Sequence, residues 1–355
     1  MRVRRLYLRP LGLLQAQRTV FGTAPLAGGR FSFSAAEVIV RDQQGGINRS
    51  TMPLQELRSA WSAAQSPEIA ARVETLLDNL TRPRSALAGL TLDRPRLMAV
   101  LNVTPDSFSD GGDFFDPERA IGHGLALLAA GADIIDVGGE STRPGAAPVS
   151  VEEEIRRVVP VVRALAERGA RVSIDSRHAP VMREALAAGA AILNDISGLA
   201  DPDSLTLAAE AKVPVVLMHM QGEPGTMQQA PDYDNAALDV YDWLEARVNA
   251  CLAAGIPPAR IVVDPGIGFG KTLAHNLDIL RNLVLYHGLG TALLLGVSRK
   301  RFIAALSRDE APKERLPGSL AASLEGLNQG CQIIRVHDLA AFAQARAVWE
   351  ATHSC

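Results

Sequence analysis

The sequence predicts an α/β protein: a (β/α)8 TIM barrel with a small α/β N-terminal extension. From residue 96 onward, short apolar runs alternate with polar or glycine-rich patches and helical stretches, which gives eight similar units. The runs are rich in Val, Ile and Leu without strict alternation, as expected for parallel strands covered on both faces. A doubly wound sheet is the alternative, but eight units of nearly equal length favour closure into a barrel.

Eight predicted strands form the barrel. They cover residues 97–102, 134–138, 171–175, 191–195, 214–219, 260–264, 292–298 and 332–337. The helix candidates between them include residues 116–130, 151–168, 178–189, 234–254 and 338–350. An alternation of short strands with longer helices is typical of consecutive βα units.

The chain divides into an extension at residues 1–95 and a barrel domain at residues 96–355. The start of the extension is rich in arginine and contains no acidic residue before Glu37. Such a composition can mimic a transit peptide. A structured basic extension of a cytoplasmic protein is nevertheless the favoured interpretation, and the role of the extension stays open.

Inside the extension, the spacing of apolar residues predicts a few elements. Alternation around residues 31–38 predicts a short strand or hairpin, and helical spacing over residues 54–77 predicts two helices. The stretches at residues 82–84 and 93–95 combine Pro with Arg and predict a linker to the barrel. No residue pattern in the extension indicates chemistry.

Composition excludes several classes of function. The net charge of −3 and the pI near 6.2 argue against a nucleic-acid surface, so any anion site must be built from a few placed residues. No apolar run approaches the roughly 20 residues of a membrane-spanning helix. The three cysteines are scattered, which fits a reducing compartment such as the cytoplasm and no zinc motif.

Polar residues follow the predicted strands at the points where the strands end. Strand C-termini of a TIM barrel open onto one face, where active sites lie. Any one of these residues could simply cap a helix, but a whole ring of buried polar groups is costly unless the groups are paired or used. The sequence therefore predicts a polar pocket lined by Asn102, Asp136, Asp175, Asn194, Asp195, His219, Asp264, Ser298, Arg299, Lys300, Arg335 and His337.

Three loops after these strands deserve separate interpretation. The loops at residues 102–112 and 138–145 are long and polar, which is typical of lids or binding loops, and Arg143 could bind a phosphate or carboxylate. The loop at residues 264–272 imitates a P-loop, but Pro265 occupies the position where that motif requires glycine. We therefore reject nucleotide binding and predict a loop that passes close to a flat ligand.

Lysine is rare in this chain, which carries most of its positive charge on arginine. The four lysines are Lys212, Lys271, Lys300 and Lys313. Lys271 and Lys300 fall in loops that follow strands. Because an ammonium group is a compact donor whereas a guanidinium is a wide fork, Lys300 between two arginines indicates a specific choice, with chance placement as the alternative.

Eight segments of the chain, in order and at barrel spacing, resemble the dihydropteroate synthase family. They read LNVTPDSFSDGG (101–112), GADIIDVGGESTRPGA (131–146), SIDS (173–176), ILNDISG (192–198), LMHMQGEPGTMQ (217–228), DPGIGFGKTLAHN (264–276), GVSRKRF (296–302) and IIRVHD (333–338). The resemblance covers about residues 97–350 and leaves out the extension.

The resemblance implies how the pterin is held. Asp175, Asn194, Asp264 and Lys300 match the residues that form hydrogen bonds with the pterin. Met220 and Phe269 match positions that cover the two faces of the ring. These assignments agree with the chemistry of an aminopyrimidinone, whose donors suit carboxylates and whose carbonyl suits a lysine.

The resemblance also implies where the rest of the substrates lie. The diphosphate would contact Asn102, Thr142, Arg143, Arg335 and His337, and p-aminobenzoate would contact Phe108, Arg143 and Ser298. The implied cofactor is Mg²⁺, with Asn102 as its oxygen ligand. Of all these residues, the ones expected to take part in catalysis are Asp175, Lys300, Arg335 and His337.

The activity that the resemblance implies is a transferase reaction of folate biosynthesis. It condenses 6-hydroxymethyl-7,8-dihydropterin diphosphate with p-aminobenzoate, and sulfonamides inhibit it. Members of the family are usually homodimers. A non-catalytic pterin-binding paralogue and a pterin-dependent methyltransferase domain are the alternatives, although a methyltransferase has no need for the Arg335 and His337 pole.

Overall fold

The computed structural model describes residues 3–15, 21–61, 66–104, 116–140 and 149–353, and elements are numbered along these residues. Its centre is a closed parallel barrel in which each strand pairs with the next and the last pairs with the first. The strands are β7 (Arg96–Asn102), β8 (Ile134–Gly138), β9 (Val172–Asp175), β10 (Ile192–Asp195), β11 (Val215–Met218), β12 (Ile261–Asp264), β13 (Ala292–Gly296) and β14 (Ile333–Val336). The predicted (β/α)8 TIM barrel is confirmed.

Helices surround the barrel. In the described residues they are α3 (Pro117–Ala129), α4 (Val151–Ala166), α5 (Ala179–Ala187), α6 (Pro202–Ala211), α7 (Ala236–Ala253), α8 (Leu273–Arg281), α9 (Arg301–Ala305), α10 (Leu316–Asn328) and α11 (Leu339–Thr352), with 3₁₀ turns at Pro258–Arg260, Leu283–Leu289 and Pro312–Glu314. The five helix candidates are all present, four of them somewhat shorter than predicted. α7 begins at Ala236 because the side chain of Asn235 caps it, accepting the Leu238 N–H.

The strand ends also differ slightly from the prediction. β13 stops at Gly296, two residues before the predicted end. The chain turns sharply just beyond, where Arg299 adopts a left-handed conformation with φ of 61°. A left-handed residue cannot continue a strand, so Ser298 to Lys300 lie in the turn that faces the carboxyl end of the barrel.

The end of the barrel opposite the candidate site is closed by the segment that precedes β7. Leu87 and Leu90 exchange two backbone hydrogen bonds of 2.8 Å and are almost fully buried. They contact an apolar cluster that includes Met98, Ile134 and Val262 from the barrel strands. The residues predicted as a linker, 82–84 and 93–95, lie on either side of this segment, and the linker stays a prediction, while the apolar residues between them form part of the barrel core.

The extension contains two small antiparallel sheets and two helices. The first sheet has the order β1 (Val3–Leu11), β5 (Ala35–Asp42), β6 (Ile47–Pro53), and the second has the order β2 (Leu14–Gln15), β4 (Phe31–Phe33), β3 (Ala24–Pro25). The helices are α1 (Leu54–Ala60) and α2 (Pro67–Thr81), as predicted. The short strand or hairpin predicted near residues 31–38 is instead two consecutive strands, β4 and β5, which are the central strands of two different sheets.

The extension packs against the side of the barrel at α7 and at residues 283–289. The rings of Tyr7 and Tyr241 meet edge to face at 5.3 Å, and the Tyr7 hydroxyl donates to Asp242 at 2.8 Å. Arg41 pairs with Asp239 at 2.6 Å. Buried side chains of the extension and of the barrel form one continuous hydrophobic cluster. The division at residue 95 stays a prediction.

Across the ranges described above, no helix is both long enough and apolar enough to cross a membrane.

Candidate active site

Strand pairing brings the predicted polar residues to the carboxyl end of the barrel. In the registers, Asn194 is paired with Asp175, Asp175 with Gly138, and Gly296 with Arg335. A methyl group placed on Gly296 would lie within 3.9 Å of three groups, namely Cβ of Arg335, Oδ2 of Asp264 and Nζ of Lys300. Residues that are far apart in sequence therefore converge on one small region.

Arg335 is the centre of this region. Its Nε donates to Oδ2 of Asp136 and its Nη2 donates to Oδ2 of Asp175, both at 2.6 Å. Burial disfavours the charged form of Arg335, but the two carboxylates outweigh burial and raise its pKa above the usual value. One guanidinium thus holds carboxylates from two neighbouring strands.

Burial and a neighbouring carboxylate both influence the protonation of Asp175. Burial raises the pKa of Asp175 to about 7 and the neighbouring charge of Asp136 adds to the rise, while Arg335 opposes it. The group can therefore change its protonation state near neutral pH. Since a charged acceptor binds N–H donors about twice as strongly as a neutral one, its ligand affinity depends on that state.

Asp136 is a candidate functional residue that the sequence placed in the polar pocket without indicating a role. It is fully buried, and besides Arg335 it accepts hydrogen bonds from Nδ2 of Asn194 at 3.1 and 3.3 Å. It therefore orients Arg335 and Asn194, two residues that were predicted to contact the substrate. A carboxylate inside the otherwise apolar strand IIDVG was the signal, because such a group is buried only when it is paired.

The loop after β12 brings Asp264, Phe269 and Lys300 together. Asp264 is buried and accepts the N–H of Gly266 at 2.8 Å. Lys300 Nζ donates to the carbonyl of Ile267 and lies 4.5 Å from the centroid of the Phe269 ring. Burial lowers the pKa of Lys300 to about 8, although Asp264 opposes this effect. Met220, which follows β11, is half-buried.

Ser298 and His337, which follow β13 and β14, contact each other. The Ser298 hydroxyl lies 3.1 Å from Nδ1 of His337 and accepts the backbone N–H of His337 at 3.2 Å. Arg299 and Asp338, their chain neighbours, form an ion pair. Asn102 is half-buried at the end of β7, paired in register with Gly138. Three further predicted site residues, Phe108, Thr142 and Arg143, lie outside the described residues.

The residues predicted to bind the pterin and those predicted to bind the diphosphate form two separate sets in the sequence, and contacts in the structure join the two sets. Arg335, assigned to the diphosphate, contacts Asp175, assigned to the pterin. Ser298, assigned to p-aminobenzoate, contacts His337 of the diphosphate group. The three predicted subsites are therefore adjacent, as a reaction between two bound substrates requires.

The family model described as pterin binding enzyme matches residues 98–337. The fold and this site agree with that class, so the protein is a pterin-binding enzyme. The chain is 49% identical over 266 residues to dihydropteroate synthase of Escherichia coli strain K12, which covers 75% of this chain and 94% of that relative. It therefore belongs to the dihydropteroate synthase family and is a transferase. The match therefore includes almost all of that relative, whereas part of this chain has no counterpart in it.

Two solved structures are similar over the same extent. Dihydropteroate synthase of Xanthomonas albilineans with 4-aminobenzoic acid has a TM-score of 0.72 and 47% identity, covering 77% of this chain and 99% of that one. The Yersinia pestis enzyme in a sulfonamide drug complex has a TM-score of 0.71 and 47% identity, covering 75% and 97%. The fold and the sequence comparisons thus agree on the family.

Proposed function

We propose that this protein condenses 6-hydroxymethyl-7,8-dihydropterin diphosphate with p-aminobenzoate, which gives 7,8-dihydropteroate and diphosphate for folate biosynthesis. The observation that carries the proposal is the Asp136–Arg335–Asp175 network beside Asp264 and Lys300. Such a network would offer hydrogen-bond acceptors to a flat heterocycle and a cation to a leaving anion. Membership of the dihydropteroate synthase family supports the same reaction.

The pterin would bind between the carboxylates and Lys300. Its amino and ring N–H groups would donate to Asp175 and Asp264, and its carbonyl would accept from Lys300. Asn194, fixed by Asp136, would supply a further amide contact. Phe269 and Met220 would cover the faces of the ring. Pterin binding would require Asp175 in its charged form, and the neighbouring cation Arg335 favours that form.

The chemical step is a substitution at the exocyclic carbon of the pterin. The bond between that carbon and the diphosphate oxygen breaks, and its electron pair leaves with the diphosphate. The amine nitrogen of p-aminobenzoate forms the new bond and loses a proton to solvent. Arg335 and His337, with Thr142 and Arg143, would stabilise the charge on the departing oxygens. No protein nucleophile is required.

Mg²⁺ is part of the proposal as an ion that arrives with the substrate. Among the described residues, no group of three or more His, Cys, Asp and Glu side chains could hold a metal ion. The residues fit Mg²⁺ nevertheless, because this ion commonly takes one or two protein oxygens and fills its shell with phosphate oxygens and water. Asn102 would supply the amide oxygen, and the bound ion would neutralise charge on the diphosphate.

The second substrate, p-aminobenzoate, would lie by Ser298, with Phe108 and Arg143 completing its contacts. The Xanthomonas albilineans relative was solved with 4-aminobenzoic acid, and the Yersinia pestis relative with a sulfonamide. We infer that sulfonamides compete with p-aminobenzoate here as well. Competitive inhibition by a sulfonamide, with KM for the pterin unchanged, is the expected result.

We further propose a cytoplasmic homodimer that acts on small molecules and binds neither nucleic acid nor membranes. Two buried cysteines, Cys251 and Cys331, are free thiols, which fits a reducing compartment. The dimer follows from the family alone. Solution mass by light scattering tests it, and a monomeric mass at micromolar concentration would contradict it.

Turnover tests the main proposal and separates it from its rivals. The full chain with Mg²⁺ should release diphosphate only when both the pterin diphosphate and p-aminobenzoate are present. Pterin binding without diphosphate release would indicate a non-catalytic paralogue. Methyl transfer from a methylated pterin, with no diphosphate release, would indicate a methyltransferase domain.

A further inference from the structure

Lys271 is a buried lysine that the proposed reaction does not use. It is 3% exposed, and no carboxylate is among the hydrogen-bond partners found for it in the described residues. Its Nζ lies 2.9 Å from the carbonyl oxygens of Gly266 and Phe269, 2.9 Å from Nδ1 of His219, and 3.3 Å from the His219 carbonyl oxygen. A buried amine is tolerated at such a position because every donor finds an acceptor.

These partners fix Lys271 in either protonation state. Burial and the charge of Lys300 lower the pKa of Lys271 well below its usual value, while Asp264 opposes them. An ammonium would donate to three of the four acceptors. A neutral amine would still donate to the carbonyls of Gly266 and Phe269, and it would accept a hydrogen bond from the Nδ1–H of His219.

The loop held by Lys271 has a shape that only glycine permits. Gly266, Gly268 and Gly270 all have positive φ, at 66°, 83° and 57°. A methyl group on Gly266 would lie 1.9 Å from the His219 carbonyl oxygen, and one on Gly270 would lie 2.3 Å from that of Gln221. The loop therefore lies directly on the backbone that follows β11. Lys271 bonds the two segments from within the loop, and the side chains of Gln228 and Tyr233 donate to the carbonyls of Gly268 and Gly270 at 2.7 Å.

The same loop carries the groups assigned to the pterin. Asp264 begins it, Phe269 projects from it, and its Ile267 carbonyl accepts a hydrogen bond from Lys300. Lys271 Nζ bonds the carbonyls of Gly266 and Phe269, which flank Ile267. A change at Lys271 is thus transmitted to three ligand-facing groups without any contact between Lys271 and the ligand.

We propose that Lys271 is a positioning residue for the pterin, which holds the loop at residues 264–272 so that Asp264, Phe269 and Lys300 face one ligand. This inference rests on the proposed function. Direct contact with the pterin is excluded for Lys271, because its donors are already bonded inside the protein. Groups that orient the ligands of a metal site commonly change affinity about 10- to 100-fold when they are lost, and we expect an effect of similar size for a group that orients a pterin site.

The test compares Lys271→Met with Lys313→Met in the full chain. Methionine keeps most of the length and apolar volume of lysine but donates no hydrogen bond, and Lys313 is an exposed lysine on a 3₁₀ turn. The probe is 6-hydroxymethylpterin, titrated by calorimetry without p-aminobenzoate or Mg²⁺. We expect Lys271→Met to weaken its binding about 10- to 100-fold, with Lys313→Met unchanged.

Steady-state kinetics and hydrogen exchange separate positioning from mere stability. Lys271→Met should raise KM for the pterin diphosphate much more than KM for p-aminobenzoate, and amides of residues 264–272 should exchange faster. A lower Tm with unchanged pterin affinity per folded molecule would mean a purely structural role and would overturn the proposal.

Two possible outcomes require a second variant or a comparison with the unaltered protein. If Lys271→Met does not fold, Lys271→Gln takes its place, because its amide nitrogen lies one bond closer to Cα and cannot reach all the acceptors of Lys271: weaker pterin binding supports the proposal and unchanged binding overturns it. If the unaltered protein binds pterin but releases no diphosphate, the proposed function fails while the inference about Lys271 stands. An unaltered protein that binds no pterin overturns both.

Discussion

Nη2 of Arg335 lies 2.6 Å from Oδ2 of Asp175, across 160 positions of the sequence. Each residue lies on a different barrel strand, and the two were assigned to different substrate subsites. The contact means that the carboxylate which would bind the pterin is already compensated by the cation which would stabilise the leaving group. Charge on the diphosphate part of the substrate would therefore act on the carboxylate that binds its pterin part.

Replacing Arg335 with alanine should slow the bond-breaking step. Loss of one preorganised donor to a developing anion costs about 10²- to 10³-fold in kcat, and we expect that fall with a smaller change in pterin affinity. The loss also leaves Asp136 and Asp175 buried without their cation, so kcat must be measured per folded molecule. Arg308→Ala, at an exposed arginine, is the control. Normal turnover by Arg335→Ala would refute the leaving-group role.

Replacing Asp175 with asparagine should act on the pterin itself. The change removes a charged acceptor, and hydrogen bonds to charged groups contribute about 1.5–3 kcal/mol, which corresponds to roughly 10- to 150-fold in Kd. Calorimetric titration with 6-hydroxymethylpterin measures the loss, and Asp309→Asn at an exposed site is the control. Unchanged pterin affinity in Asp175→Asn would show that Asp175 does not bind the ring.

Pterin affinity should have a bell-shaped dependence on pH. Burial raises the pKa of Asp175 to about 7, so the carboxylate is protonated and affinity falls as the pH decreases through that value. Burial lowers the pKa of Lys300 to about 8, so the positive charge that strengthens its hydrogen bond to the ligand is lost and affinity falls as the pH increases through that value. The acid limb should disappear in Asp175→Asn and the alkaline limb in Lys300→Met. Retention of both limbs in both variants would assign the titration to other groups.

The phenol of Tyr7 should anchor the extension to α7. Tyr7→Phe removes the hydrogen bond to Asp242 and keeps the ring contact with Tyr241. We expect a loss of about 1.5–3 kcal/mol in the free energy of unfolding, since the acceptor is a carboxylate. Asp242→Asn, alone and combined with Tyr7→Phe, completes a double-mutant cycle in urea. Additive losses would mean that the two groups do not interact.

Leu87 should stabilise the barrel without influence on the reaction. Leu87→Ala would leave a cavity at the end of the barrel opposite the site, where loss of a buried leucine costs about 2–5 kcal/mol. Leu306→Ala, at a leucine that is 56% exposed, should cost much less. Urea unfolding measures both, and kcat per folded molecule should be that of the unaltered protein. A large change in kcat for Leu87→Ala would show that the two ends of the barrel are coupled.

Much of the fold and of the site follows from local pattern. The apolar run that ends in Asp175 and the run that ends in Asp264 each read as a covered parallel strand, and the rule that such strands open onto one face placed their carboxylates together. Motifs such as DPGIGFGKT also identified the family. These features can be predicted because the periodicity of apolar residues in a strand or helix depends on a few consecutive residues.

Only the tertiary structure decided which groups are partners. Arg335 bonds both Asp136 and Asp175, Leu87 packs in the barrel core, and Lys271 bonds the ring and the carbonyl of His219. All three depend on barrel closure, which brings distant residues into contact. Hydrogen bonds and ion pairs depend on distance and direction in space, and a sequence records neither. The sequence by itself determined the barrel, the family and the ring of polar strand ends, whereas the closed barrel alone determined the pairing inside that ring.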